Sequence, residues 1–85
     1  MSFEVKRELA RVPKPTTKST FYMFQEVEVY GEKKIDVREH FERKDGSIQY
    51  TKVGMTIPLS AFEDLMAGFR DVAEIMREEL SQAVK

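Results

Sequence analysis

The stretch YGEKKIDVREHFERKDGSIQYTKVGMTIPLSAFEDL, residues 30–65, decides the fold. Within it, residues 34–41 alternate Ile35 and Val37 against Lys34, Asp36, Arg38 and His40, the period of two that a half-buried strand requires. Asp45-Gly46, inside RKDGS, separates this run from residues 48–53 and is a strong short-range hairpin signal. Gly54 reads as a break, after which MTIPL supplies a short fourth strand whose Pro58 cannot donate to a ladder. Ser60 then stands three residues before Glu63, the spacing of a capping box, and marks the start of a helix.

Upstream, FYMFQEVEVY (residues 21–30) is dense in aromatic and β-branched residues and closes on a Val-Glu-Val alternation, so it reads as the first strand, with a turn at Gly31-Glu32. Downstream, Phe62, Leu65, Met66, Phe69, Val72, Ala73, Met76, Leu80 and Ala83 recur at three and four residues and form one apolar helical stripe. The expected class is α+β: a four-stranded antiparallel sheet followed by one C-terminal amphipathic helix, β-β-β-β-α. Residues 1–19, with two prolines and several bases between Arg11 and Thr20, are expected to be a basic flexible arm and linker. Within it, Phe3, Val5 and Leu9 suit either a helical turn or an added strand. The domain proper is expected over 20–85.

Eighty-five residues support one modest core, and without cysteine neither a disulfide nor a thiolate metal site can reinforce it. Oligomerisation is the remaining reinforcement. No run approaches the roughly 18 apolar residues of a membrane span, and the N-terminus lacks a signal-peptide core, so an intracellular protein of cytoplasm, nucleoid or nucleus is expected. Net charge is −1, but unevenly spread: +3 over residues 1–19, −1 over 20–59 and −3 over 60–85. An acidic helix of this kind faces water rather than phosphate.

A helix over about 61–83 would be roughly 34 Å long, whereas an eight-residue strand covers about 27 Å. Its far end therefore outruns the sheet and leaves Met76, Leu80 and Ala83 bare, with Ile75 off the main stripe. A second copy of the helix would cover them, and a homodimer through Phe69, Val72, Ile75, Met76 and Leu80 is expected. The alternative is a helix that crosses its sheet diagonally and kinks near Gly68.

Catalysis finds no members here: one histidine, no cysteine, and a Glu39 that points away from His40 by strand parity. No ligand spacing suggests a metal, no glycine loop cradles phosphate, and no cofactor is expected. His40 reads as an exposed strand residue. If the helix covers the face of Ile35 and Val37, the other face presents Lys34, Arg38 and His40, with Tyr22, Phe24 and Tyr30 on one parity of the first strand and Tyr50 and Lys52 beyond the hairpin. Rings among cations suit single-stranded nucleic acid, since bases stack on aromatics while lysine and arginine follow phosphates. The same rings also suit a plain core.

YGEKKIDVREHFERKDGS followed by KVGMTIPLSAFEDL resembles the single-stranded DNA-binding domain of the positive cofactor four family of transcriptional coactivators. The shared pattern is Ile-Asp-Val-Arg-Glu, an aromatic two residues later, an Asp-Gly hairpin, then glycine before a short strand and helix. The resemblance implies a homodimer whose β-ribbons form a channel for single-stranded DNA, with the transcription machinery as a further partner. By position, Arg38 matches an arginine that contacts DNA, Phe41 an aromatic on which a base stacks, and Lys52 a basic position after the hairpin. Tyr30, Lys33, Lys34, Arg43, Lys44 and Tyr50 complete the expected surface. Strand alternation from Val37 turns Phe41 inward, so stacking there needs a twist or bulge. The family's aromatic before the first turn falls on Val29, lysines around that turn fall on Tyr30 and Glu32, and two later basic positions are Gln49 and Val53, which weakens the phosphate grip.

The leading expectation is thus a sequence-tolerant single-stranded DNA-binding dimer acting in transcription, replication or repair, with RNA as a variant ligand. The competing one is a protein-interaction or dimerisation module on the same fold.

Overall fold

The hairpin that joins the two central strands is set by two residues with left-handed backbone, Tyr30 at φ 51° and Gly31 at φ 77°. Val29 pairs with Glu32 across this two-residue loop, the primed turn whose twist matches that of its strands. The structure is a computed structural model that describes residues 3–15 and 17–83. The outermost residues of the expected arm and domain, 1–2 and 84–85, and Thr16 within the arm lie outside the described residues.

The chain runs β1 (Phe3–Pro13), β2 (Thr20–Val29), β3 (Glu32–Glu42), β4 (Ile48–Pro58), α1 (Leu59–Ile75) and α2 (Arg77–Ala83). The strands form one antiparallel sheet in the order β1-β2-β3-β4. The architecture expected from the sequence is present, but two of its strands are drawn differently. Much of the supposed flexible arm is β1, paired with β2 from Phe3↔Val29 to Pro13↔Phe21. Register shifts between Val5 and Arg7 and between Glu8 and Ala10 reverse its face pattern twice, which hides the alternation a strand would show. Arg7 donates to Glu26 at 2.7 Å, and Lys14 lies 3.4 Å from Glu39, tying β1 and its loop to the central strands.

The two short strands expected on either side of Gly54 are one strand, β4. Its register steps from Arg38↔Gly54 to His40↔Tyr50, so Thr51, Lys52 and Val53 bulge opposite Glu39. The Thr51 hydroxyl holds the bulge by donating to the Glu39 carbonyl at 3.0 Å and accepting from the Val53 N–H at 3.1 Å. At the β3–β4 tip, the Gly46 N–H donates to the Arg43 carbonyl at 2.9 Å, and Asp45 accepts from both the N–H and the hydroxyl of Ser47.

The helix packs where the sequence places it, on the side of Val37. Phe24, Val37, Met55 and Ile57 of the sheet and Phe62, Leu65, Met66 and Phe69 of α1 enclose an apolar cavity of about 280 Å³. The capping box is not formed: Pro58 is the N-cap, so strand passes into helix without a linker and Ser60 falls inside the first turn. The helix is interrupted at Met76 (φ −99°, ψ 18°) rather than near Gly68, and no residue of α1 or α2 is buried. Phe69, Val72, Ile75, Met76 and Leu80 are all exposed apolar side chains.

Among the described residues no second layer packs on the opposite face, yet it buries Phe21, Met23, Val27, Asp36 and His40. Phe3 and Val5 from one edge strand and Tyr50 from the other line the same depression. In a flat sheet these strands would lie about 14 Å apart, three strand spacings of roughly 4.8 Å. The sheet must therefore curl towards this side, and its bulges supply the bend.

Candidate nucleic-acid interface

Alternation along β3 puts Lys34, Asp36, Arg38 and His40 on the curled face, opposite Val27, Gln25, Met23 and Phe21 of β2. Arg38, Asp36 and His40 join Gln25, Tyr50, Phe3 and Val5 around an open depression of about 480 Å³. Arg38 grips Asp36 through two hydrogen bonds, Nε to Oδ2 at 3.1 Å and Nη2 to Oδ1 at 3.0 Å. Its third contact is a long one, Nη1 to the Thr51 carbonyl at 3.4 Å. Asp36, 1 % exposed, also accepts from the Thr56 hydroxyl at 2.8 Å. The hydrogen bonds to Asp36 raise the Arg38 guanidinium above the ordinary arginine value, against the opposing effect of partial burial.

His40 is not the exposed strand residue its parity suggests. It is 6 % exposed, with Nδ1 3.1 Å from the Arg38 carbonyl oxygen and its ring stacked on Phe21 at 5.9 Å between centroids. Arg11 reaches over the same Phe21 ring, its guanidinium carbon 4.4 Å from the centroid. The curl that buries this stack is invisible in a one-strand pattern.

Tyr50 lies opposite His40 and is 73 % exposed, so its ring stands free at the rim of the depression. Arg43 and Lys44 sit at the hairpin tip and Lys52 in the β4 bulge; all three are exposed, and none lies within 4.0 Å of a carboxylate among the described residues. Lys18 joins them, because the Ser19 carbonyl accepts from the Glu42 N–H at 2.8 Å and draws the β1–β2 loop against the hairpin strand.

The other expected residues lie elsewhere. Phe41 pairs with Thr20 and Gln49 on the helix side of the sheet, opposite in parity to Arg38, so those two cannot meet one base between them. Lys33 shares that side and lies 3.5 Å from Glu26. Lys34 is on the curled face but half-buried, next to Val27 and Pro58. Tyr30 occupies the turn at the far end of the sheet. Asp36, Gln25, Phe3 and Val5 were not among the sequence candidates. Asp36 shares the parity of Arg38, which was a usable signal, but a polar residue alternating on a strand reads by default as solvated.

The basic character of the first residues is largely neutralised. Lys6 pairs with Glu4 and Glu28, Arg7 with Glu26, Arg11 with Glu8 and Lys14 with Glu39. The pairs of Lys6 and Arg11 are exposed and exchangeable, whereas Lys14–Glu39 is partly covered. Among the described residues, no helix is long and apolar enough to cross a membrane. Comparison with protein-family models, with curated proteins and with solved structures finds no match to this chain.

Proposed function

We propose that the chain binds single-stranded nucleic acid, DNA in the first instance, on the curled face of its sheet, and that it does so as a homodimer joined through α1 and α2. One observation carries the reading: the exposed Tyr50 ring stands beside the oriented Arg38 at the end of the sheet where Lys18, Arg43, Lys44 and Lys52 have no carboxylate within 4.0 Å among the described residues. A base stacks on the ring for about 1–3 kcal/mol while the flanking cations follow the phosphates. A duplex keeps its base faces stacked inside and offers the ring nothing. A role in transcription, replication or repair rests on the positive cofactor four resemblance carried by residues 30–47 and 52–65.

The test is fluorescence anisotropy of a labelled oligo-dT at several salt concentrations, with duplex competitor. Binding that weakens as salt rises and resists duplex supports the reading. No binding up to about 100 µM at low salt, the weak end even of non-specific association, would sink it.

A second reading, a protein-interaction module, is favoured by the pairing of Lys6, Arg7, Arg11 and Lys14 with glutamates. It predicts no oligonucleotide binding at any salt, with α1 and α2 still covered by a protein partner.

A further inference from the structure

We infer that the Arg38–Asp36 pair is a guanine-reading subsite, so that the bound strand is selected at one base rather than held without sequence preference. The inference rests on the single-strand reading above and specifies its ligand.

Asp36 is a carboxylate buried in a small sheet, a costly arrangement that hydrophobic residues would replace without loss of stability. Its three donors, Arg38 Nε, Arg38 Nη2 and Thr56 Oγ1, satisfy it and at the same time lock the guanidinium in one plane. The lock has an electrostatic consequence. Arg38 and Asp36 together carry no formal charge, so a phosphate gains little here and goes instead to Arg43, Lys44 and Lys52. A neutral hydrogen-bond acceptor meets no such penalty.

An arginine has five N–H donors. Two are engaged by Asp36 and one by the Thr51 carbonyl, which leaves one on each terminal nitrogen without an acceptor among the described residues. A planar pair of donors held beside an open cavity matches two acceptors on one edge. Guanine presents such an edge in O6 and N7; adenine and thymine present none, and unpaired cytosine presents N3 and O2 but on a smaller ring that fills less of the cavity. The cavity of about 480 Å³ has room for a purine, with Tyr50 at the rim as its stacking surface and Gln25 lining the same space. Asp36 is the positioning residue: it acts on the base only through Arg38.

The experiment compares labelled dT12 with the same strand carrying one central dG, by anisotropy at fixed salt. The dG strand is expected to bind about tenfold more tightly, within the discrimination of a bidentate arginine–guanine pair. Replacing that dG by 7-deazaguanine, which lacks N7, should remove most of the gain. Arg38→Lys keeps the charge and loses the fork, so it should abolish the preference for the dG strand over dT12. The readout is a ratio of affinities on one protein, so a destabilised variant does not distort it, and the 7-deazaguanine comparison stands on the unaltered chain. Guanosine monophosphate alone should bind at least about a hundredfold more weakly than the strand, because it lacks the phosphate track; equal affinity would make the free nucleotide the ligand and overturn the subsite as stated. Equal binding of the two strands overturns the inference and leaves the single-strand reading intact. Absence of binding to either strand overturns both.

Discussion

Gly54 lies against the backbone of Val37 so closely that a Cβ on it would stand 2.3 Å from the Val37 carbonyl oxygen and 2.7 Å from Arg38 Cα. Both obstacles are main chain, so neither can rotate away. Gly54→Ala must therefore push β4 off β3, at a cost of about 2–3 kcal/mol, the upper part of the usual cost of overpacking. Urea denaturation measures it. Gly46→Ala is the control: it meets open space and pays only for its left-handed backbone, φ 88°, about 1 kcal/mol. If the two variants unfold at the same midpoint, the close approach is not what this glycine is for.

Tyr30 is the one described non-glycine residue at positive φ, in a turn type that favours Asn-Gly. Tyr30→Asn is expected to stabilise the domain by about 0.5–1 kcal/mol by relieving that conformation. Tyr30 is at the other end of the sheet from Tyr50, so oligo-dT affinity should not change. Thermal melting and anisotropy on one preparation check both parts; a loss of affinity would return Tyr30 to the binding surface where sequence reasoning had put it.

The parts of the fold that were legible are those in which each residue follows its neighbour's rule. Ile35 and Val37 alternate without interruption, and the stripe from Phe62 to Phe69 meets the sheet on the face of Val37. Legibility fails wherever a bulge resets the parity. Lys6 and Leu9 do this in β1, which is why a paired strand looked like a frayed arm. At Gly54 the cause is different: glycine as a strand-breaker and glycine as the residue that admits a neighbouring backbone are written with the same letter. The site suffered from the curl. Nothing in the alternation of β3 says that Asp36 and His40 are covered, because much of their cover comes from other strands: Phe21 of β2, Thr56 and Tyr50 of β4, and Phe3 and Val5 of β1.

Acid should loosen β1 before the rest. Hydrogen bonding to Arg7 lowers Glu26, and hydrogen bonding to Arg11 lowers Glu8, below the ordinary glutamate value of 4.5. A carboxyl depressed in the folded state contributes stability that is fully present above its unfolded value and is lost as pH falls through the folded one. The window therefore opens below about pH 4.5 and closes below the lowered values. Amide hydrogen exchange at pH 6 and pH 3.5, corrected for intrinsic rates, should show β1 losing protection relative to β2 and β3. Uniform loss across all strands would mean that these pairs do not hold β1. Salt should mimic the effect weakly at neutral pH, since both pairs are exposed.

Ile75 is 79 % exposed and Phe69 63 %, with Val72, Met76 and Leu80 also exposed, and of the five only Phe69 lines the cavity against the chain's own sheet. A stripe of that extent on a 9.9 kDa chain is larger than the scattered apolar residues of an ordinary surface. The helix is interrupted at Met76, so a partner helix must meet two segments, which a two-fold copy of the same pair does by symmetry. Light scattering at tens of micromolar should give twice the chain mass, and Ile75→Glu should halve it, because an unpaired carboxylate in a dry helix interface costs several kcal/mol. Glu78→Lys on the acidic side of α2 serves as a charge-change control and should remain dimeric. If the parent chain is itself a monomer, the two-ribbon channel fails, and any single-strand binding that persists must be the work of one sheet face alone.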